Sequence, residues 1–129
     1  MSGSLSWSVH IVADGAGAAY KPTIPGAAIG DPVKAQIGDI VTWGNATDNL
    51  TRQPWPTVGN SATGEPVPDA SNLPGSALYF SGPIAPGGSS RPQWVVPATL
   101  PDGTALGANS VIYYCSKDFP NERGRIIIF

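Results

Sequence analysis

Glycine and proline punctuate this chain too densely for a helical bundle, with sixteen and fourteen of them among 129 residues. Between them lie short clusters of β-branched and aromatic residues, the composition of strands joined by turns. The expected fold class is therefore all-β. At this length one hydrophobic core suffices, burying roughly two-thirds of the surface that the unfolded chain would expose. Residues 6–129 are read as a single domain, and residues 1–5 as an appended leader or flexible N-terminus, because Met1-Ser-Gly-Ser lacks the basic start and apolar core of a signal peptide.

Charge removes several function classes. The formal net charge is −2 and only 12% of residues are charged, scattered singly, so no basic stripe argues for nucleic acid or an anionic membrane. The longest apolar runs, such as Ile126 to Phe129, fall far short of the roughly 20 residues of a membrane span. One cysteine excludes an internal disulfide and leaves the redox compartment open.

Period-two alternation in Ser6-Trp7-Ser8-Val9-His10-Ile11-Val12-Ala13 puts Trp7, Val9, Ile11 and Ala13 on one face and His10 on the other. Further strands are expected over 33–37, 40–43, 77–80, 93–96, 111–114 and 125–129, with turns at Asp14-Gly-Ala-Gly, Gly38-Asp39 and Pro101-Asp-Gly103. Residues 21–32 read as a connection without a helix. Residues 46–78 read as one long loop whose single bulky apolar point is Pro54-Trp55-Pro56, and loops of that length are usually functional or mobile. Seven or eight short strands with regular turns point to a β-sandwich.

Four segments, in order, resemble the cupredoxins, the Greek-key β-sandwich family that carries type 1 copper. Gly38-Asp39-Ile-Val-Thr-Trp43-Gly-Asn45 resembles the family's Gly-Asp-x-Val-x-Phe/Trp-x-Asn strand, and Ser81-Gly82-Pro-Ile-Ala-Pro86-Gly87 its Ser-Gly-x-x-x-Pro-Gly turn, followed by the Gln93-Trp-Val-Val96 strand. Tyr113-Tyr-Cys115 resembles the Tyr-x-Cys ending the penultimate strand, and Arg123-Gly124-Arg-Ile-Ile-Ile the Met-x-Gly-x-Ile-x-Val close. The resemblance spans residues 33–129 and implies a cupredoxin-like fold and a periplasmic or secreted location.

Carried over position by position, the resemblance puts the first copper histidine at about Thr51, the thiolate at Cys115, the second histidine at Asp118 and the axial methionine at Glu122. Only the cysteine is kept. A type 1 site needs two imidazoles and a thiolate in a plane under a weak thioether, and a thiol with two carboxylates is not that set. His10, the one imidazole, belongs to a strand that supplies no ligand in the family. The expectation is a non-catalytic binding or accessory module without copper, its partner another protein. The alternative is an atypical copper-binding electron carrier or copper-handling protein that uses Cys115 with Asp118 and Glu122. Trp55 and Phe119 are candidate partner contacts, Trp55 serving either as a partner-facing aromatic or as a plug over the vacant site. Asp118 and Glu122 equally suit pairing with Lys117, Arg123 or another arginine. No Ser, His and Asp set and no phosphate loop argues for an enzyme. Asn45-Ala-Thr47 and Asn49-Leu-Thr51 fit the glycosylation triplet.

Overall fold

The computed structural model describes residues 5–15, 17–47, 50–68, 80–90, 93–100 and 103–129. The expected leader at 1–4, the strand expected over 77–79 and the Pro101-Asp102 part of a turn lie outside the described residues. Two four-stranded sheets face one another. The first has the order β2 (Gly17–Pro22), β1 (Ser6–Asp14), β4 (Ile40–Asn45), β6 (Trp94–Val95). The second has the order β3 (Val33–Ala35), β8 (Phe119–Ile128), β7 (Val111–Ser116), β5 (Pro54–Pro56). Following the chain from β2 to β7, every connection crosses from one sheet to the other, so the architecture is the expected all-β sandwich. Among the described residues the helical content is one 3-10 turn at Val58–Asn60.

Alternation decides what each strand buries. Val9 and Ile11 of β1, Val41 and Trp43 of β4, Ile112 and Tyr114 of β7, and Ile126 and Ile128 of β8 all enter one core. Its centre is aromatic. The Trp43 ring meets Tyr114 at 5.4 Å and Phe80 at 5.4 Å, both edge to face, and donates its indole N–H to the Tyr114 hydroxyl at 3.0 Å. Gly124 of β8 lies opposite Tyr114, and a Cβ there would run into the phenol ring.

Three expectations change. Residues 17–22 form β2, where a turn and a Pro-punctuated connection were expected, because Ala18, Tyr20 and Pro22 alternate inward against β1. The 46–78 loop contains β5, a Pro-Trp-Pro segment paired with β7. Strand β7 runs on through Cys115 to Ser116, and β8 begins at Phe119. The connection between the strands expected at 111–114 and 125–129 therefore shrinks to a hairpin turn made by Lys117 and Asp118 alone.

Asp39 fastens the entry to β4. Its carboxylate accepts from the Leu5 and Gln36 amides at 3.1 and 2.9 Å and from the Trp7 indole N–H at 3.0 Å. Burial alone would raise its pKa, but those donors outweigh it and hold the carboxyl below its ordinary 3.8. A depressed folded pKa means stabilisation present above the ordinary carboxyl range and lost as pH falls through the folded value. Asp39→Asn is expected to cost about 1–3 kcal/mol in urea unfolding at neutral pH. The gap to wild type should narrow well below pH 3.8; a gap independent of pH would contradict the clasp.

Candidate functional site

The end of the sandwich where the β7–β8 hairpin turns carries the residues that the sequence singled out. Thr51 is exposed there, and Asp118 is exposed at the hairpin turn. The side chain next to Thr51 is the one that enters the protein. Arg52 is 2% exposed, and its backbone is pinned by reciprocal hydrogen bonds with Ile84 at 3.0 and 2.8 Å.

Arg52 ends on Glu122, Nε to Oε1 at 2.9 Å, as a buried ion pair. The same Oε1 accepts the Ser116 hydroxyl at 2.8 Å, and Oε2 accepts the Ala18 amide at 3.1 Å. Ser116 in turn lies 2.7 Å from the Tyr20 hydroxyl. A serine has one proton, and here it goes to Glu122, so Tyr20 is the donor in that contact. Burial pushes the Tyr20 phenol well above its ordinary pKa, although the Ser116 bond pulls the other way. The proton that this donation needs is thus retained. On its far side Arg52 donates Nη1–H to the Leu50 carbonyl at 3.1 Å and stacks its guanidinium 4.3 Å above the Phe119 ring. Both carboxylate oxygens of Glu122 are thereby engaged by strands β2, β7 and the segment after β4.

Cys115 does not join this network. Ile112, Tyr114 and Ser116 continue the inward face of β7, so Cys115 faces out and stands opposite Trp55 on β5 and Arg123 on β8. Neither Cys115 nor Trp55 belongs to the main core, yet both are buried, at 0% and 1% exposure. They form a small second layer. The Trp55 indole N–H donates to the Val67 carbonyl at 2.9 Å, and Lys117 Nζ caps its ring at 4.9 Å. Burial pushes the Cys115 thiol up, Arg123 pulls it partly back and Glu65 adds to the rise. A thiol held protonated is a poor metal ligand.

The four positions matched to copper ligands are therefore not brought together: Thr51 and Asp118 are exposed, Glu122 is bound up inside, and Cys115 lies on the opposite face of its strand. Among the described residues no group of three or more His, Cys, Asp and Glu side chains could hold a metal ion. The donor set does not fit type 1 copper. His10 is exposed on the outer face of β1.

The partner-contact expectation changes for Trp55, which sits under the 65–67 segment and Lys117 and offers no face to another molecule. Phe119 stays half-buried and lines an open groove of about 520 Å³ with Asp14, Gly17, Asp118, Pro120 and Asn121. Asn45 is also unsuited to glycosylation, being 1% exposed with its amide nitrogen donating to the Leu50 and Ile84 carbonyls, both at 2.9 Å. Asn49 lies outside the described residues.

Arg52, Ser116 and Tyr20 were not among the sequence candidates. Strand parity carried the signal for Ser116, because counting by twos from Ile112 and Tyr114 reaches Ser116 and skips Cys115. Nothing local marked Arg52, whose partner is 70 positions away.

No family model matches this chain, and no curated protein matches it. Among solved structures, Fet3p, a multicopper oxidase that functions in iron import, is similar at 19% identity and a TM-score of 0.44. That alignment covers 97% of this chain and 22% of the Fet3p chain, so the present chain spans about a fifth of that protein. A likeness at this level leaves function to be argued from the site.

Proposed function

We propose that this chain is a non-catalytic, cupredoxin-like binding module that does not hold type 1 copper and meets another protein at its hairpin end. One observation carries the reading: the place where the resemblance puts metal donors is filled by the Arg52–Glu122 ion pair and its hydrogen bonds to Ser116 and Ala18. A guanidinium supplies there the positive charge that balances the buried carboxylate. Recruiting Glu122 to a metal would leave Arg52 buried and unpaired, which is strongly unfavourable. The groove beside Phe119 is a concave feature of this end, and its exposed Asp118 and apolar Pro120 suit protein contact better than catalysis.

Thermal unfolding with and without Cu(II) tests the reading, since a ligand that binds only the folded form at 100 times its Kd adds about 2.7 kcal/mol. The expected result is an unchanged Tm. A rise with Cu(II) that disappears in Cys115→Ala would sink the proposal in favour of an atypical copper carrier.

A further inference from the structure

The outer face of the second sheet carries an unmet electrostatic demand that the hairpin end does not explain. Arg123 and Arg125 are two residues apart on β8, so both project from that face, opposite Cys115 and Tyr113 of β7. Neither makes an ion pair with any described residue; the pair recorded among these is Arg52–Glu122. Arg123 Nη1 is buried without a hydrogen-bond partner, the one described side-chain nitrogen or oxygen in that state. A guanidinium nitrogen withdrawn from water without an acceptor is rare in a folded protein and asks for an explanation.

The surroundings supply one. Both arginines line an open cleft of about 120 Å³, together with Gly30, Ala62, Tyr113 and Gly124. At ~30 Å³ per water this is room for roughly four waters, or for one small oxyanion with some of its hydration. The walls are fixed. Asn60 clamps the segment leading to Ala62 onto β7, donating from Nδ2 to the Val111 carbonyl at 2.9 Å and accepting the Tyr113 amide at 2.8 Å. Gly30 is held by its own amide, which donates to the Tyr20 carbonyl at 2.9 Å. A single water could satisfy Nη1, but it would leave two neighbouring cations without a directly bonded anion, since Glu65, which also acts on Cys115, makes no ion pair with either. The planar fork of an arginine matches carboxylate and phosphate oxygens.

We propose that this cleft binds an oxyanion of the carboxylate or phosphate type, with Arg123 Nη1 as its buried donor and Arg125 as its exposed one. The site is independent of the hairpin end, so it stands or falls separately from the binding-module reading. The test is a titration of the whole chain at low ionic strength with inorganic phosphate in one arm and acetate in the other, with chloride matched for ionic strength as the blank. Backbone amide shifts of Gly30, Ala62 and Gly124 are followed by NMR. Saturable shifts centred on these residues are expected from at least one anion, and the arm that saturates names the chemistry. Arg123→Gln should abolish saturation. Arg125→Gln, at an exposed position that the fold does not need, should weaken it about tenfold, the scale of one charge-assisted hydrogen bond. No saturation by either anion in the wild type, or wild-type affinity in either variant, overturns the proposal.

Discussion

Arg52→Ala is expected to destabilise the protein by about 3–5 kcal/mol, a fall in Tm of roughly 11–18 °C for a domain of this size. The reason is what remains behind. Glu122 would keep its burial, at 6% exposure, and its bonds from Ser116 and Ala18, but it would lose the one full charge that balances it. The Leu50 carbonyl and the Phe119 ring would also lose the guanidinium packed against them. Glu122→Gln makes the complementary test: it keeps the shape and leaves Arg52 as the uncompensated charge. Removing both charges together, as in Arg52→Met with Glu122→Gln, should recover much of the loss, because it leaves no uncompensated charge while the Gln carbonyl still accepts from Ser116 and Ala18. Urea unfolding of that double variant and of its two component single variants forms a cycle. A strong coupling between the sites is expected, and additive effects would mean that the two side chains do not meet.

Gly124→Ala is the second large effect, expected at about 3 kcal/mol. In most strands an alanine is better tolerated than glycine, because glycine surrenders more conformational freedom on folding. Here the sign reverses. A Cβ at position 124 would overlap the Tyr114 ring, reaching its Cζ, hydroxyl and Cε2. That ring cannot step aside, since it packs on Trp43, on Tyr20 at 4.9 Å and on Phe80 at 5.3 Å, and accepts the Trp43 indole N–H. Either the strand or the aromatic centre must shift. The denaturant midpoint measures it, and a change within about 0.5 kcal/mol, the range of an ordinary surface substitution, would show that the ring is elsewhere. The Gly in the sequence's closing Arg-Gly-Arg-Ile-Ile-Ile motif thus has a packing reason that requires no metal.

How far the sequence foretold the molecule follows the range of the forces involved. Strands β1, β4, β7 and the end of β8 were legible because alternation is local, and Val9, Ile11, Trp43 and Tyr114 bury as their spacing predicts. Strand β2 was hidden because Gly17 and Lys21-Pro22 look like turn residues, while Ala18 and Tyr20 are too few to announce a period. Strand β5 was hidden by its prolines. Proline cannot donate to a ladder, yet β5 lies at the sheet edge with β7 as its one strand neighbour among the described residues, and on its other side Pro56 needs only to accept, from the Val67 amide at 3.0 Å, so the missing donors cost little. The hairpin end was read short. The strand was expected to stop at Tyr114, which left Cys115 in a loop with no face assigned, whereas β7 continues to Ser116 and its alternation turns Ser116 inward and Cys115 outward. The ion pair was beyond local reading altogether, since Arg52 and Glu122 meet only after β5 and the second sheet are assembled.

Titration of the reduced protein with Cu(II), followed in the visible spectrum, is the most direct check that the hairpin end is closed to copper. A thiolate bound to Cu(II) in a type 1 geometry gives an intense charge-transfer band. With Cys115 buried on the far face as a protonated thiol and Glu122 held by Arg52, no such band should develop at any Cu(II) ratio, and Cys115→Ala should behave as the wild type does. An intense band in the wild type that is missing in Cys115→Ala would mean that Cys115 reaches a metal and that the ion pair does not occupy its place.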